Sequence, residues 1–473
     1  MIYSNLEYVV LLVTTILLFA AFTRSYRARF FVLTTASLLF YSWLSLVECF
    51  VFFFVVVFSW AFLWAANQDP KRQWWWLGAG IVTMTLHLFF WKYSSWITEL
   101  VYDVNPTAMK GNVLFFPLPA GISFFTLQGI AYLVDFGRRE VPMMSFRKYL
   151  LFKSFFPQLV AGPIVRARTM LPQINALRVP NSDDIWAGAT LFCVGLAKKM
   201  LLADRLAPLV EPMYSNPGAY DRSSLILAGV GFTVQVWADF SGYTDMGRGS
   251  ARMLGFYLPE NFFAPYLSRK PSEFWRRWHV TLSTWIRDYI YFPLGGSRGS
   301  AWRVASVALF TMVLSGIWHG AAFGYVFWGI YNGLWLVAER LLRGRLPKVP
   351  AFLAWAHFFA GFVVSMMIFR SPTLGKMGEF LSGVFLGNSA SGTMEIGRLT
   401  ILASVAAMFA YHWITYFDLD GKDPAPFTRW TSRFSLERTS TQVGYAFLLG
   451  LAFSLILFFR PGAEAASFIY FKF

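Results

Sequence analysis

Residues 50–66 read FVFFFVVVFSWAFLWAA and contain no charged side chain. A run of this length is what an α-helix needs to cross the hydrocarbon core of a bilayer. Comparable apolar runs recur along the chain at 7–23, 30–45, 74–95, 114–136, 185–203, 224–238, 302–318, 323–338, 351–369, 398–417 and 443–459. Several of them are close to the lower limit of about 17 residues for a spanning helix. The pattern therefore predicts roughly eleven transmembrane helices, with re-entrant or amphipathic helices among them.

The composition favours a membrane environment for the whole chain. Of the 473 residues, 56% are hydrophobic and 14% are charged, and 51 are phenylalanine and 20 tryptophan. A water-soluble fold could not cover so much apolar surface. The sequence thus predicts an all-α polytopic membrane protein with one integral membrane domain over 1–473. Within that domain we expect peripheral helices over 1–110, the catalytic core over 111–335 and C-terminal transmembrane helices over 336–473.

The net charge of +16 is distributed unevenly along the chain. Arg24, Arg27 and Arg29 follow the first apolar run, the reverse of the order in a secretory signal peptide, which indicates a retained helix. Because basic residues collect on the cytoplasmic side, this loop is predicted inside and the N-terminus outside. The basic residues then orient the chain and contact the lipid bilayer, and nucleic acid is not an expected partner.

The cysteines and histidines show no metal-binding spacing. Cys49 and Cys193 lie in or beside apolar runs and form no C-x-x-C pattern, and no pair among the five histidines follows H-x-x-x-H. Neither a metal centre nor a disulfide framework is therefore expected.

The stretch RRWHVTLSTWIRDYIYFPLGG (276–296) concentrates polar side chains that are rarely found together in so hydrophobic a chain. We expect a helix over 275–291, with Ser272 as its N-cap. Helical periodicity places four polar side chains on one face: Arg276, His279, Ser283 and Arg287. Arg277 and Asp288 lie beside that face. The pattern is typical of an amphipathic helix at the membrane interface, and equally of a helix that lines a polar cavity. Periodicity leaves both interpretations open.

One ionisable residue, His319, interrupts the apolar run VASVALFTMVLSGIWHGAAF (304–323). A histidine in such a run is either hydrogen-bonded to a neighbouring helix for packing or part of a functional site. A neutral imidazole could take a proton from an attacking hydroxyl, while arginines hold an anionic donor. Glycines flank it at Gly316 and Gly320, where another helix or a ligand could approach the backbone closely.

Several motifs together resemble one family. They are LPAGISFFTLQGIAYLVDFGRR (118–139), FFPQLVAGPIVR (155–166), DFSGYTDMGRGSARMLGF (239–256) followed by LPENF, EFWRRWHVTLSTWIRDYIYFPLGG (273–296) and SGIWHG (315–320). This set resembles the membrane-bound O-acyltransferase (MBOAT) family, in particular its AlgI-like branch of bacterial exopolysaccharide O-acetylation proteins. The teichoic-acid D-alanylation (DltB) branch is more distant. The resemblance covers about 110 to 335.

The resemblance implies helices around a central tunnel, with His319 as the family's near-invariant histidine and His279 as a second catalytic position. Donor binding is then expected from Arg276, Arg277, Arg287 and Ser283, and supporting roles from Asp245, Arg248, Trp318 and Asp288. It also implies a bacterial inner-membrane location, no permanently bound cofactor, and acetyl-CoA or an acetylated carrier as the donor.

The same resemblance implies partners and a reaction. Acetyl would pass from the cytoplasmic thioester to a separate periplasmic acetyltransferase, within a polysaccharide synthase and secretion complex. The modified polymer is cellulose or alginate, and the length of the chain slightly favours cellulose. Two other functions stay open: a flippase-type transporter, which predicts a cavity lined by paired charges inside the membrane, and a non-catalytic scaffold, which would tolerate His319→Ala.

Overall fold

The computed structural model describes residues 3–43, 45–102, 118–345, 347, 349–387, 390, 392–394, 397–418 and 439–458. Within these residues the chain is helical and forms no β-strand, only isolated bridges. The α-helices are α1 Leu6–Ala21, α2 Tyr26–Ser42, α3 Leu46–Gln68, α4 Gln73–Tyr102, α5 Ile122–Gly137, α6 Phe146–Ser154, α7 Ala167–Ala176, α8 Ser182–Ala197, α9 Asp204–Ser215, α10 Arg222–Met253, α11 Pro271–Phe274, α12 Val280–Ile286, α13 Ala301–His319, α14 Phe323–Leu341, α15 Ala351–Arg370, α16 Leu374–Phe385, α17 Arg398–Asp418 and α18 Thr439–Phe458. The prediction of an all-α membrane protein is confirmed.

Each predicted apolar run coincides with a helix, although the bounds shift by several residues. The run 114–136 corresponds to α5, and its residues 114–117 lie outside the described residues. Among the described residues, six helices are long and apolar enough to cross a membrane, and three shorter apolar helices accompany them. The larger figure of eleven crossings stays a prediction.

The described residues form two compact units. The first unit comprises residues within 1–193, 243–259 and 439–443, and the second comprises residues within 194–242, 260–418 and 444–458. The predicted division at residues 110 and 335 is one of function and stays a prediction.

Aromatic side chains fill the core of the first unit. The Tyr3 ring stacks on Tyr243 with centroids 4.2 Å apart, and the Tyr8 ring lies 4.6 Å from Tyr3. Both phenols are satisfied, since Tyr3 donates to the Phe156 carbonyl at 3.0 Å and Tyr8 donates to Ser250 at 2.8 Å. A buried tyrosine whose hydroxyl has a hydrogen-bond partner adds apolar area to the core without leaving a buried polar atom unpaired.

In the second unit α13 and α14 pack in direct backbone contact. A Cβ atom on Gly316 would lie 2.1 Å from the Tyr325 carbonyl oxygen, and one on Gly329 would lie 2.6 Å from the Met312 carbonyl oxygen. Small residues at such crossings let two helices approach until their backbones touch. Gly320 meets the ring of Tyr325 in the same way. The prediction of close approach at Gly316 and Gly320 is confirmed, and it is a helix that approaches.

We predict that Gly316→Ala destabilises the protein by about 1–3 kcal/mol, because the methyl group has no room beside a backbone carbonyl. Thermal unfolding of the purified protein in detergent measures the effect. Gly378→Ala on α16 is the matched control, since a Cβ there meets nothing within 4 Å. Equal unfolding midpoints for the two variants would contradict the packing argument.

Candidate active site

A cavity of about 700 Å³ opens in the second unit. The stretch 272–291 provides one part of its lining, and α13 and the end of α14 provide most of the rest. Both predicted catalytic histidines, His279 and His319, line this cavity, together with Arg276, Ser283 and Arg287. The structure therefore favours the cavity interpretation of the 276–296 stretch.

The stretch is not one continuous helix. α11 ends at Phe274, α12 begins at Val280, and a π-helical turn, Arg287–Tyr291, follows it. His279 lies at the break with φ of 42°, in the left-handed region that non-glycine residues seldom adopt. The expected N-cap at Ser272 is also wrong, because Lys270 holds that position for α11 and Ser272 instead donates to Glu339.

Residues 261–263 hold the break in place. The Phe263 amide donates to the Arg277 carbonyl at 2.9 Å, and the Val280 amide donates to the Asn261 carbonyl at 3.1 Å. The Asn261 side chain accepts from the Thr281 amide and hydroxyl, at 3.1 and 2.7 Å. Hydrogen bonds on both sides of His279 thus stabilise its unusual backbone. Residues in such conformations cluster at functional sites.

The His279 side chain is 1% exposed. Its ring meets the ring of Phe240 edge to face, with centroids 4.7 Å apart. His279 lies outside the candidate membrane-spanning helices, and burial lowers its pKa to about 3. The imidazole is therefore neutral at neutral pH, with one ring nitrogen as hydrogen-bond donor and the other as acceptor.

His319 ends α13 and is 5% exposed. Aromatic rings surround it: Trp318 at 5.0 Å, Trp328 at 5.1 Å and Phe369 at 5.3 Å between centroids. Trp318 also lies 6.4 Å from the His279 ring. The ring of Trp318, a predicted supporting position, thus lies near both histidine rings.

The outer part of the cavity is basic. Four exposed arginines line it, and we call them the arginine mouth: Arg276, Arg287, Arg340 and Arg343. Arg287 is paired with Asp288 at 2.7 Å, and Glu339 is occupied by Ser272, whose amide and hydroxyl donate to it at 2.8 and 2.6 Å. Guanidinium groups in this arrangement are suited to phosphate groups of an anionic ligand.

Five predicted positions are absent from the cavity lining: Arg277, Asp245, Arg248, Asp288 and Trp318. Arg277 pairs with Glu273 at 2.9 Å and lies 5.1 Å from the Tyr416 ring centroid. Asp245 and Arg248 belong to the first unit, where their buried side chains pair at 3.3 Å. Asp288 pairs with the lining residue Arg287. In the described part of the chain, no group of three His, Cys, Asp or Glu side chains could hold a metal ion.

The sequence model of the membrane-bound O-acyltransferase (MBOAT) family matches residues 30–372. The chain belongs to this family. It is accordingly a membrane-bound O-acyltransferase, as the motifs predicted, and the cavity with its two histidines lies within the matched region.

Curated proteins similar to this MBOAT protein carry related names. A protein named "Probable alginate O-acetylase AlgI" from Azotobacter vinelandii is 34% identical over 83% of this chain and 80% of its own length. Its counterpart from Pseudomonas aeruginosa is 35% identical over 83% of this chain and 77% of its own. A peptidoglycan O-acetyltransferase from Helicobacter pylori is 31% identical over 67% of this chain and 66% of its own.

Two arginines that line the MBOAT cavity were missed from the sequence: Arg340 and Arg343. They stand three residues apart near the end of an apolar run, in AERLLRGR (338–345). A basic cluster at such a position is also typical of the cytoplasmic end of a membrane-spanning helix. Only the packing of α14 against α13 shows that both line the cavity.

We predict that acid weakens the fold through His279. Because its folded pKa of about 3 is below the ordinary 6.5, protons bind preferentially to the unfolded chain. Stability is therefore lost as the pH falls from about 6.5 towards 3, by about 2 kcal/mol at pH 5. His279→Asn tolerates the left-handed backbone but does not titrate. Denaturant titrations should show the wild type losing this amount relative to the variant, and parallel pH profiles would contradict it.

Proposed function

We propose that this protein is an O-acetyltransferase subunit that moves acetyl from a cytoplasmic thioester donor across the inner membrane, for O-acetylation of a secreted polysaccharide. One observation supports it above the others: His279 and His319 line a single cavity whose outer part is the arginine mouth. Buried imidazoles and exposed guanidinium groups are suited to acyl transfer from an anionic donor.

In the proposed reaction His319 is the general base. Its imidazole takes the proton of an attacking hydroxyl, whose oxygen then bonds to the acyl carbon, and the carbon–sulfur bond of the thioester breaks. The departing thiolate receives the proton from the imidazolium, so charge and atoms balance. His279, whose ring lies 6.4 Å from that of Trp318, assists, and Ser283, which donates to the Trp278 carbonyl at 3.0 Å, lines the path.

The donor in this proposal is acetyl-CoA or an acetylated carrier, which enters from the cytoplasm. The support is the positive charge of the mouth together with the predicted orientation, which places basic loops inside and the N-terminus in the periplasm. Arg276 and Arg287 would hold donor phosphates, joined by Arg340 and Arg343. Arg277 would act indirectly, by fixing the turn before His279 through its pair with Glu273.

The acceptor in this proposal is a periplasmic acetyltransferase partner within a polysaccharide synthase and secretion complex. Relatives named as alginate and peptidoglycan O-acetyltransferases support a polysaccharide as the final product. Alginate and cellulose remain the two candidate polymers. Supporting roles for Trp318, Asp288 and the Asp245–Arg248 pair are part of the proposal.

Two alternatives make different predictions. A scaffold that only recruits the partner acetyltransferase has no need for a base and would keep function in His319→Ala. A flippase-type transporter would move its cargo without breaking the thioester. Measurement of acetyl transfer separates both from the proposed enzyme.

We predict that His319→Ala abolishes O-acetylation while polymer yield is unchanged, because general-base catalysis contributes about 10²–10⁴-fold. NMR of purified exopolysaccharide measures ester acetate and identifies the polymer from its sugar signals. Wild type and variant are compared at matched membrane levels. The control is His357→Ala, which is outside the cavity lining. Unchanged acetate in His319→Ala would reject the proposed base and favour the scaffold.

We also predict that Arg340→Gln with Arg343→Gln raises the KM for acetyl-CoA by about a hundredfold or more. Each lost hydrogen bond to a charged phosphate costs roughly 1.5–3 kcal/mol. Inside-out membrane vesicles with radiolabelled acetyl-CoA provide the measurement. Arg345→Gln on the same segment is the matched control, because Arg345 donates to the Leu341 carbonyl and does not line the cavity. An unchanged KM in the double variant would exclude a donor role for this pair.

A further inference from the structure

A buried ion-pair cluster lies in the second unit outside the cavity lining. Lys199 Nζ is 2.7 Å from Asp204 Oδ1 and 2.6 Å from Asp239 Oδ1, and all three side chains are 2–3% exposed. We call it the Lys199 cluster. Ionic groups in apolar helices are costly and seldom kept without a function, yet none of these three touches the cavity.

The cluster joins two helical segments through one shared cation. Lys199 belongs to a π-helical turn, Lys198–Ala203, and Asp204 follows it directly as the first residue of α9. Asp239 comes instead from α10. The contact to Asp204 is therefore local in sequence, whereas the contact to Asp239 ties the π-helical turn to a different helix. A π-helical turn often marks a functional position in an otherwise regular helix.

Further contacts press α10 against the same turn. A Cβ atom on Gly242 would lie 2.7 Å from the Gly195 carbonyl oxygen and 3.1 Å from Lys198 Cβ. The Lys198 ammonium lies 5.1 Å from the centroid of the Trp237 ring, within reach of a cation–π interaction. These contacts thus fix both the position of α10 along its axis and its rotation about that axis at this turn.

The residue after Asp239 carries this constraint to the active site. Phe240 presents its ring to His279 at 4.7 Å with an interplanar angle of 84°. Phe240 also packs on Phe262 at 5.3 Å, and Phe262 packs on Trp278 at 4.9 Å. Since adjacent helix residues point about 100° apart, Asp239 can hold the π-helical turn while Phe240 supports the histidine.

We propose that Lys199 is a positioning residue for His279, acting through Asp239 and Phe240. The Lys199–Asp239 contact fixes α10 so that Phe240 holds the imidazole of His279 in its place at the cavity. This inference rests on the proposed function, in which His279 takes part in acetyl transfer.

A double-mutant cycle tests the proposed connection. Asp239→Asn and Phe240→Leu are each expected to lower acetyl transfer by about tenfold to a hundredfold, the usual cost of a small misplacement of a reacting group. The double variant should lose about as much transfer as the more impaired of the two single variants, because both act on the same ring. Losses that multiply in the double variant would overturn the proposal. The readout is polymer ester acetate per unit of membrane-inserted protein, normalised to growth time.

Asp204→Asn is the matched control, since it removes the other carboxylate from the same lysine and leaves the Lys199–Asp239 contact in place. It should change transfer much less than Asp239→Asn. Should a single variant fail to reach the membrane, Lys199→Met with Asp204→Asn and Asp239→Asn removes all three charges together and leaves no buried charge uncompensated. That triple variant should reproduce the loss of transfer, and wild-type transfer in it would also overturn the proposal.

Chemical labelling supplies a readout that general destabilisation would not reproduce. Diethylpyrocarbonate modifies accessible imidazoles, and mass spectrometry resolves each histidine. His279 should be modified severalfold faster in Asp239→Asn and Phe240→Leu than in the wild type, while His87 in the first unit keeps its rate. Equal rates at His279 would overturn the proposal. If His319→Ala loses acetate but Asp239→Asn and Phe240→Leu show no coupling, only the role of Lys199 is rejected. If His319→Ala keeps normal acetate, the proposed function is rejected.

Discussion

The backbone contact between α13 and α14 is the constraint on which the active site depends. Gly316 and Gly329 let the two helices meet without intervening side chains. His319 follows Gly316 by three residues, so its ring is brought against Trp328 of the other helix. A wider crossing would separate that pair and open the wall that α13 contributes to the cavity. The position of the buried histidine therefore depends on the placement of these glycines.

The burial of the side chains that line the cavity differs between its charged and its uncharged groups. The arginines are exposed, where a permanent charge keeps its hydration, and His279 and His319 are almost fully buried, where a neutral ring costs little. A general base works best where water does not compete for the proton, and an anion is captured best where it is still solvated. The same cavity provides both environments within one unit.

Much of this arrangement could be predicted from the sequence. Long uncharged runs identify the helices of an apolar chain, and the motif around His319 is distinctive. The break at His279 could not. It depends on hydrogen bonds from residues 261–263, which no local pattern reveals. Arg340 and Arg343 were missed because arginines at a helix end usually serve as membrane anchors. The apparent helix 275–291 still identified the lining residues, since Arg276, His279, Ser283 and Arg287 all reach the cavity despite the break.

The π-helical turn at Arg287–Tyr291 has a consequence for comparing this chain with other acyltransferases. Such a turn accommodates one residue more than an α-helix of the same span, and every side chain after it is rotated about the axis. Positions beyond Arg287 therefore correspond by geometry only to relatives that share the insertion. In a relative with a regular helix here, counting residues forward from the histidine would pair side chains that point in different directions. Residue equivalence in this part of the family has to be established by superposition, with a one-residue gap allowed at the turn.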